Sequence, residues 1–250
     1  MNRHLLSFII GFILAGCIVF LIMHHRSRQG SAVWQAGELI GARQAVEKRL
    51  NDISQDIAGR LAAFGQETAA DQLFALRLIA ENNPSSPEVA GKAGEFMAPM
   101  GLAFLSIVDS AGTILSSGHF PASRGDRMPA EAFNRLADEP RLVEDLTAAG
   151  KQTLSLQARS AFMVADSIKF YALGGAVIDE AFLAKLSPMP DVKVLLRRGG
   201  DVKGMEGVKT MSEVNDGAVL INGTKYPAFT IALDFAGQGD APELIGVLKK

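Results

Sequence analysis

Cysteine is almost missing from this sequence: Cys17 is the one thiol among 250 residues. The chain therefore has no intramolecular disulfide, and beyond residue 17 it offers no catalytic or metal-binding thiolate. Histidine is nearly as scarce. His4, His24 and His25 lie near the N-terminus, which leaves His119 alone in the remainder and excludes a His/Cys zinc cluster there. An excess of positive charge is lacking too. Twenty-five Lys and Arg against 27 Asp and Glu give a formal net charge of -2, without the basic footprint that nucleic acid requires. Phosphate-binding loops are absent as well: Lys92 and Lys151 each follow a glycine without the required spacing, and Gly237-Gln-Gly239 lacks the third glycine of a dinucleotide fingerprint. No cofactor, no metal and no nucleic-acid partner are expected. A Ser–His–Asp hydrolase would have to use His119, and no nucleophile elbow accompanies it.

What the sequence does have is one long apolar run, Leu5 to Met23, without a charge. Its length is close to the roughly 20 residues that cross a bilayer core as helix. Secretory signal peptides have a shorter apolar region of roughly 7–15 residues, so an uncleaved membrane anchor is expected. Leu14-Ala-Gly-Cys17 resembles a lipobox, in which Cys17 would carry the lipid, but Ile18 to Met23 stays apolar where a lipoprotein turns polar. The span is preferred over lipidation, and Gly11, Ala15 and Gly16 then allow close helix packing. Arg3 on one side and Arg26 and Arg28 on the other leave the orientation open on charge alone.

No proline occurs from Ser31 to Glu81, and Val46, Leu50, Ile53, Ile57, Leu61 and Phe64 recur at spacings of three and four. This predicts a long amphipathic helix rising from the membrane. Its apolar stripe needs a cover, either the chain's own sheet or the same helix of a second subunit; in the latter case these six residues form a dimer helix. Asn82 to Pro87 should break the helix, and Ser86 can cap a short second one with Pro87 in its first turn.

From Leu102 the pattern turns to strands, at Leu102–Asp109, Thr113–Ser117, Gln152–Gln157, Ala161–Ala165 and Lys169–Ile178. Met128 to about Gly150 is expected to be helical in two pieces divided at Pro140. Asp179 can cap a further helix, which Pro188 and Pro190 stop. Strand-rich sequence resumes at Asp191, and Asn222-Gly223 predicts a type I′ hairpin between Ala218–Ile221 and Thr224–Phe235. Pro227 implies an edge or a bulge in that strand. Asn222-Gly-Thr224 is also a glycosylation sequon, ranked below the turn. Gly199-Gly200 reads as a turn. The expected class is mixed α/β (α+β) in four parts: a tail and transmembrane helix at 1–30, the long and short helices at 31–100, a first module at 101–187 and a smaller β-rich module at 188–250.

The polar residues that stand out are Ser116, Ser117, His119, Arg124, Asp126 and Arg127, with Arg159, Lys169 and Tyr171 as possible neighbours from adjacent strands. Arg and His donors at a sheet edge can hold a small carboxylate by charge-assisted hydrogen bonds. The set taken as candidate ligand-binding residues is Ser117, His119, Arg124, Arg127 and Tyr171. A solvated loop with a local ion pair explains the same residues without a ligand.

Phe104-Leu-Ser-Ile-Val-Asp-Ser-Ala-Gly-Thr-Ile-Leu-Ser-Ser-Gly-His-Phe120 and Phe170-Tyr-Ala-Leu-Gly-Gly-Ala-Val-Ile-Asp-Glu-Ala-Phe-Leu183 resemble the exported, Cache-like sensor region of bacterial membrane-bound histidine kinases. The resemblance covers about Gly101 to Leu186 and extends to the rest only in layout. It implies tandem PAS-like (double Cache-like) modules outside the inner membrane, a small anionic or polar ligand on the distal one and a homodimer. It also implies a second span leading to a transmitter that phosphorylates histidine. The aromatic-and-arginine motif of amino-acid-sensing members has no match, since Trp34 is the one tryptophan and lies beside the membrane segment. The chain stops at Lys250 where the second span would begin, so no phosphotransfer is expected from it. The same input region could serve a chemoreceptor or a cyclic-dinucleotide enzyme, and a single-span envelope scaffold is the reading from a different class.

Overall fold

A computed structural model describes residues 37–134, 136, 140–144, 153–208, 210–212, 217–235 and 240–249 in full, and residues 3–36, 135, 145–146, 152 and 213–214 as backbone elements alone. Helix α1 runs Arg3–Ala70. The expected span Leu5–Met23, with Cys17, lies outside the residues described in full. Among the described residues no helix is long and apolar enough to cross a membrane.

The long helix stops before its expected end at Glu81. Asp71 leaves the helical conformation, and its carboxylate accepts the backbone N–H groups of Leu73 and Phe74 as the N-cap of α2 (Gln72–Ala75), which a π-helical turn at Leu76–Ala80 follows. An aspartate that binds backbone N–H groups competes with the ladder and starts a new helix instead. Helix α3 (Pro87–Met97) begins as expected, with Ser86 accepting the Val89 N–H and Pro87 in the first turn.

Five antiparallel strands form the first sheet, in the order β2-β1-β5-β4-β3. They are β1 (Phe104–Asp109), β2 (Ile114–Ser117), β3 (Arg141–Leu146), β4 (Gln152–Val164) and β5 (Ile168–Val177). Between β2 and β3 lies the short helix α4 (Ala130–Arg135). The second of the two helical pieces expected between Met128 and Gly150 is thus strand β3. It pairs with β4 from Arg141↔Gln157 to Leu146↔Gln152, and a six-residue ladder with Leu142 and Val143 both buried overrides the local helical pattern.

Helix α5 (Glu180–Leu186), capped by Asp179 through the Phe182 N–H, leads past Pro188 into a second antiparallel sheet. Its strands are β6 (Val192–Arg198), β7 (Asp201–Lys203), β8 (Met211–Val214), β9 (Ala218–Ile221), β10 (Thr224–Ala232) and β11 (Glu243–Leu248), in the order β7-β6-β11-β10-β9-β8. Asn222 (φ 49) and Gly223 (φ 82) make the expected tight hairpin turn. The Asn222 side chain accepts the Thr210 N–H and donates to the Gly207 carbonyl. Strand β10 ends at Ala232, short of Phe235. Pro227, expected on an edge or a bulge, lies in an interior strand. It sits where the β9 ladder ends, and pairing with β11 begins only at Ala228.

The helix stripe is covered by the chain itself. Val46, Ile57, Leu61 and Phe64 are buried, with Leu50 and Ile53 half-buried, in one cluster with Leu105, Ile107, Phe162, Phe170 and Ala172 of the first sheet. Of the two covers expected for the stripe, the chain's own sheet is the one seen, over Val46, Ile57, Leu61 and Phe64. Each large side chain so buried contributes about 1.5–3 kcal/mol. Gly174 marks the closest approach, since a Cβ there would lie 2.7 Å from Leu61 Cδ2 and 2.8 Å from the Phe104 carbonyl oxygen. The cluster continues to Phe229, Ile231, Leu244 and Leu248, so α1 backs both sheets. Two arginines fasten it. Arg49 donates to the carbonyls of Lys185, Ser187 and Pro188 at the end of α5, and Arg60 to the Met100 carbonyl beyond α3.

Candidate functional site

Alternate residues of a strand face opposite sides of its sheet. With Leu105, Ala172 and their neighbours committed to α1, the first sheet's other face receives Phe104, Ser106 and Val108 from β1 and Tyr171 and Leu173 from β5. It also receives Ser155, Gln157 and Arg159 from β4, Val143 from β3 and Ser117 from β2. The register aligns Ser117, Ser106, Leu173 and Arg159 in one row across the sheet. Helix α4 covers part of this face, packing Phe133 and Leu136 against Val108, Val143 and Leu173.

The face is polar although it is buried. Ser106, Ser117, His119, Ser155 and Gln157 are all buried. Ser155 Oγ donates to the Val143 carbonyl (3.1 Å) and accepts from Gln157 Nε2 (2.8 Å), so the desolvation of these groups is offset by hydrogen bonds. Arg159 is the centre of the arrangement. Its guanidinium carbon lies 4.5 Å from the Phe133 ring centroid and 4.5 Å from that of Tyr171, and Nη1 donates to the Phe133 carbonyl (3.0 Å). Phe133 and Tyr171 meet edge to face at 5.1 Å, and Lys169 Nζ lies 5.2 Å from the Tyr171 ring. Among the described residues no carboxylate pairs with Arg159. The half-buried guanidinium packs against both rings, and its N–H groups other than the one bonded to the Phe133 carbonyl can serve a planar acceptor by charge-assisted hydrogen bonds.

The expected ligand residues divide. Ser117 and His119 belong to this face: Ser117 Oγ is 3.3 Å from His119 Nδ1 and accepts the Phe120 N–H, and the imidazole meets the Phe104 ring at 4.8 Å. Tyr171 belongs to it too, against Arg159. Arg124 and Arg127 lie apart from the other three. They are exposed on a segment whose backbone pairs with residues 112–114, and Arg127 Nε donates to the Ala111 carbonyl. Ser116 points the other way, where its hydroxyl accepts the Ala93 N–H and donates to the Ala90 carbonyl of α3. Ser155, Gln157 and Phe133 are site residues that the sequence reading did not name. The alternation of Thr153, Ser155, Gln157 and Arg159 with Leu154, Leu156 and Ala158 was available as a signal, but alternation alone assigns such polar residues to solvent.

The perturbed ionisable groups lie elsewhere, at the corner of α2 and α3. A hydrogen bond from Lys92 holds the Asp71 carboxyl below its ordinary range, against the opposing effect of burial. Backbone N–H bonding does the same for Glu88. A separate cavity of about 130 Å³ lies between the two sheets, lined by Glu144, Thr153, Leu154, Leu196, Arg198, Asp201 and Lys203.

No protein-family model matches the chain, and no curated protein matches it in sequence. Solved structures do. The sensor domain of the V. cholerae histidine kinase DctB aligns with a TM-score of 0.51 at 10% identity, over 86% of this chain and 98% of that one. The ligand-binding domain of a Campylobacter jejuni chemoreceptor, in complex with 4-methylisoleucine, aligns with a TM-score of 0.51 at 9% identity, over 85% of this chain and 90% of the other. At such identities the likeness is one of fold. The fold of this chain is that of Cache-like extracellular sensor domains, as the sequence resemblance implied.

Proposed function

We propose that the chain is the extracytoplasmic input region of a membrane-bound bacterial receptor, a sensor histidine kinase, and that it binds a small anion on the outer face of its first sheet. The observation that supports the ligand reading is Arg159, packed against the rings of Phe133 and Tyr171 beside the buried Ser106, Ser155 and Gln157, with no carboxylate partner among the described residues. Leu5–Met23 serves as the membrane span and α1 as its continuation into the sensor. Phosphotransfer belongs to a transmitter outside this sequence. A homodimer, if formed through α1, uses its outward side around the exposed Gly59, Ala62 and Ala63. The chemoreceptor match has the same TM-score as the kinase match, so an input region for a chemoreceptor is the second reading.

The test is a thermal-shift screen of the full chain against acetate, malonate, citrate, phosphate and sulfate. A ligand at 100 times its dissociation constant stabilises by about 2.7 kcal/mol. At least one carboxylate should raise the midpoint for the wild type and fail to do so for Arg159→Met. No shift with any anion, or shifts that persist in Arg159→Met, would reject the ligand reading.

A further inference from the structure

The face that carries Arg159 and the second sheet meet at one strand. Strand β3 presents Val143 to the cluster of Phe133, Leu136 and Leu173 under α4, and its Val143 carbonyl accepts the Ser155 hydroxyl. On the other side the same strand holds the second sheet. The Leu142 N–H donates to the Asp234 carbonyl (3.0 Å), within an isolated parallel bridge between Leu142 and Phe235. Arg141 pairs with Asp234. Glu144 pairs with Arg198, whose guanidinium stacks on Phe235 at 4.8 Å and whose Nε donates to the Asp240 carbonyl. The cavity of about 130 Å³ borders this contact, with Glu144 and Arg198 among its lining residues.

We infer that β3 is a strap that couples the α4 face to the second sheet, with Glu144–Arg198 and Arg141–Asp234 as its clamps. The inference rests on the proposed function in taking the α4 face as the place where a ligand acts. Helix α1 backs both sheets from the opposite side and gives them a common support. The strap differs in kind: beside the buried Leu142, its polar contacts to the second sheet among the described residues are one β-bridge and two partly exposed ion pairs at the edge of a cavity, contacts that can rearrange without unfolding either sheet. Displacement of α4 pulls on Val143, and Leu142 and Glu144, its neighbours in sequence, carry the movement to Phe235, Asp234 and Arg198. Energetic coupling of this kind is measurable as non-additivity between variants at the two ends.

Hydrogen–deuterium exchange on the full chain tests it without any ligand. Arg159→Met removes the bond to the Phe133 carbonyl and loosens α4. With the clamp intact, it should raise amide exchange at residues 229–235 at least threefold. In a Glu144→Gln background the same substitution should change exchange at 229–235 by less than a further 1.5-fold, and the charge-swapped Glu144→Arg/Arg198→Glu chain should restore the response. Asp234→Asn replaces Glu144→Gln if the latter does not fold. Equal effects of Arg159→Met with and without the clamp, or no effect at 229–235 in either, would overturn the strap. A failed anion screen leaves this result standing, and a failed strap leaves anion binding intact.

Discussion

The two sheets are built from similar antiparallel ladders yet treat polar groups in opposite ways. The core of the second sheet is apolar, with Leu195, Val219, Ile221, Ile245 and Val247 packed together. Every buried polar residue among those described lies between Thr68 and Gln157, on the first sheet or the helices against it, and none lies in the second. Burying a polar group costs free energy unless it is paired, and an apolar residue of the same shape would serve stability equally well. The second sheet follows the rule for a support. The first keeps buried polar groups beside an arginine that packs against two aromatic rings, the feature on which the proposed ligand site rests.

Substitutions can break or sharpen this contrast. The largest effect is expected from Phe64→Ala, which empties the core that α1 shares with both sheets and should cost about 3–5 kcal/mol. Because one cluster runs through both sheets, thermal unfolding followed by circular dichroism should remain a single transition. Two separated transitions would show that the sheets are independent units. Asp71→Ala removes the cap of α2 and leaves the buried Lys92 without its partner, for an expected loss of about 2 kcal/mol in denaturant unfolding.

The same aspartate sets a pH dependence. Its folded-state pKa lies below the ordinary 3.8, so its contribution is fully present above that value and lost as pH falls through the lowered one. Asp71→Asn should therefore flatten the acid limb of the melting curve below about pH 4. Gln157→Leu should change stability by no more than about 1 kcal/mol while removing the anion-induced thermal shift. At the equivalent depth of the second sheet, Val219→Gln should instead cost about 2–3 kcal/mol, since the described side chains of its cluster are mostly apolar. Smallest is Lys48→Gln, which opens an exposed pair with Asp52 and should move the midpoint by less than about 0.5 kcal/mol.

Much of the frame was legible. The stripe from Val46 to Phe64, the Ser86 and Asp179 caps and the Asn222-Gly223 turn are local signals, and each element formed where its residues require it. The misreadings share a cause. The segment from Arg141 to Leu146 is a strand because β4 lies beside it, Asp71 ends α1 because Lys92 and two free N–H groups meet its carboxylate, and Pro227 is tolerated inside a sheet because two ladders change over at that point. All three depend on pairing with another element, which local periodicity does not show. Of the expected ligand residues, Ser117, His119 and Tyr171 lie on one face of the first sheet, whereas Arg124 and Arg127 adjoin them along the chain and not in space. Ser155, Gln157 and Phe133 could not be placed without knowing that α4 folds back over β4.

The central claim is that the receiving surface is the outer face of the first sheet. Hydrogen–deuterium exchange of the full chain, with and without the carboxylate that gives the largest thermal shift, tests it most directly. Protection should concentrate in residues 130–135, 153–164 and 168–177, with a weaker effect at 229–235. Protection confined to residues 192–248, with the first sheet unchanged, would contradict it.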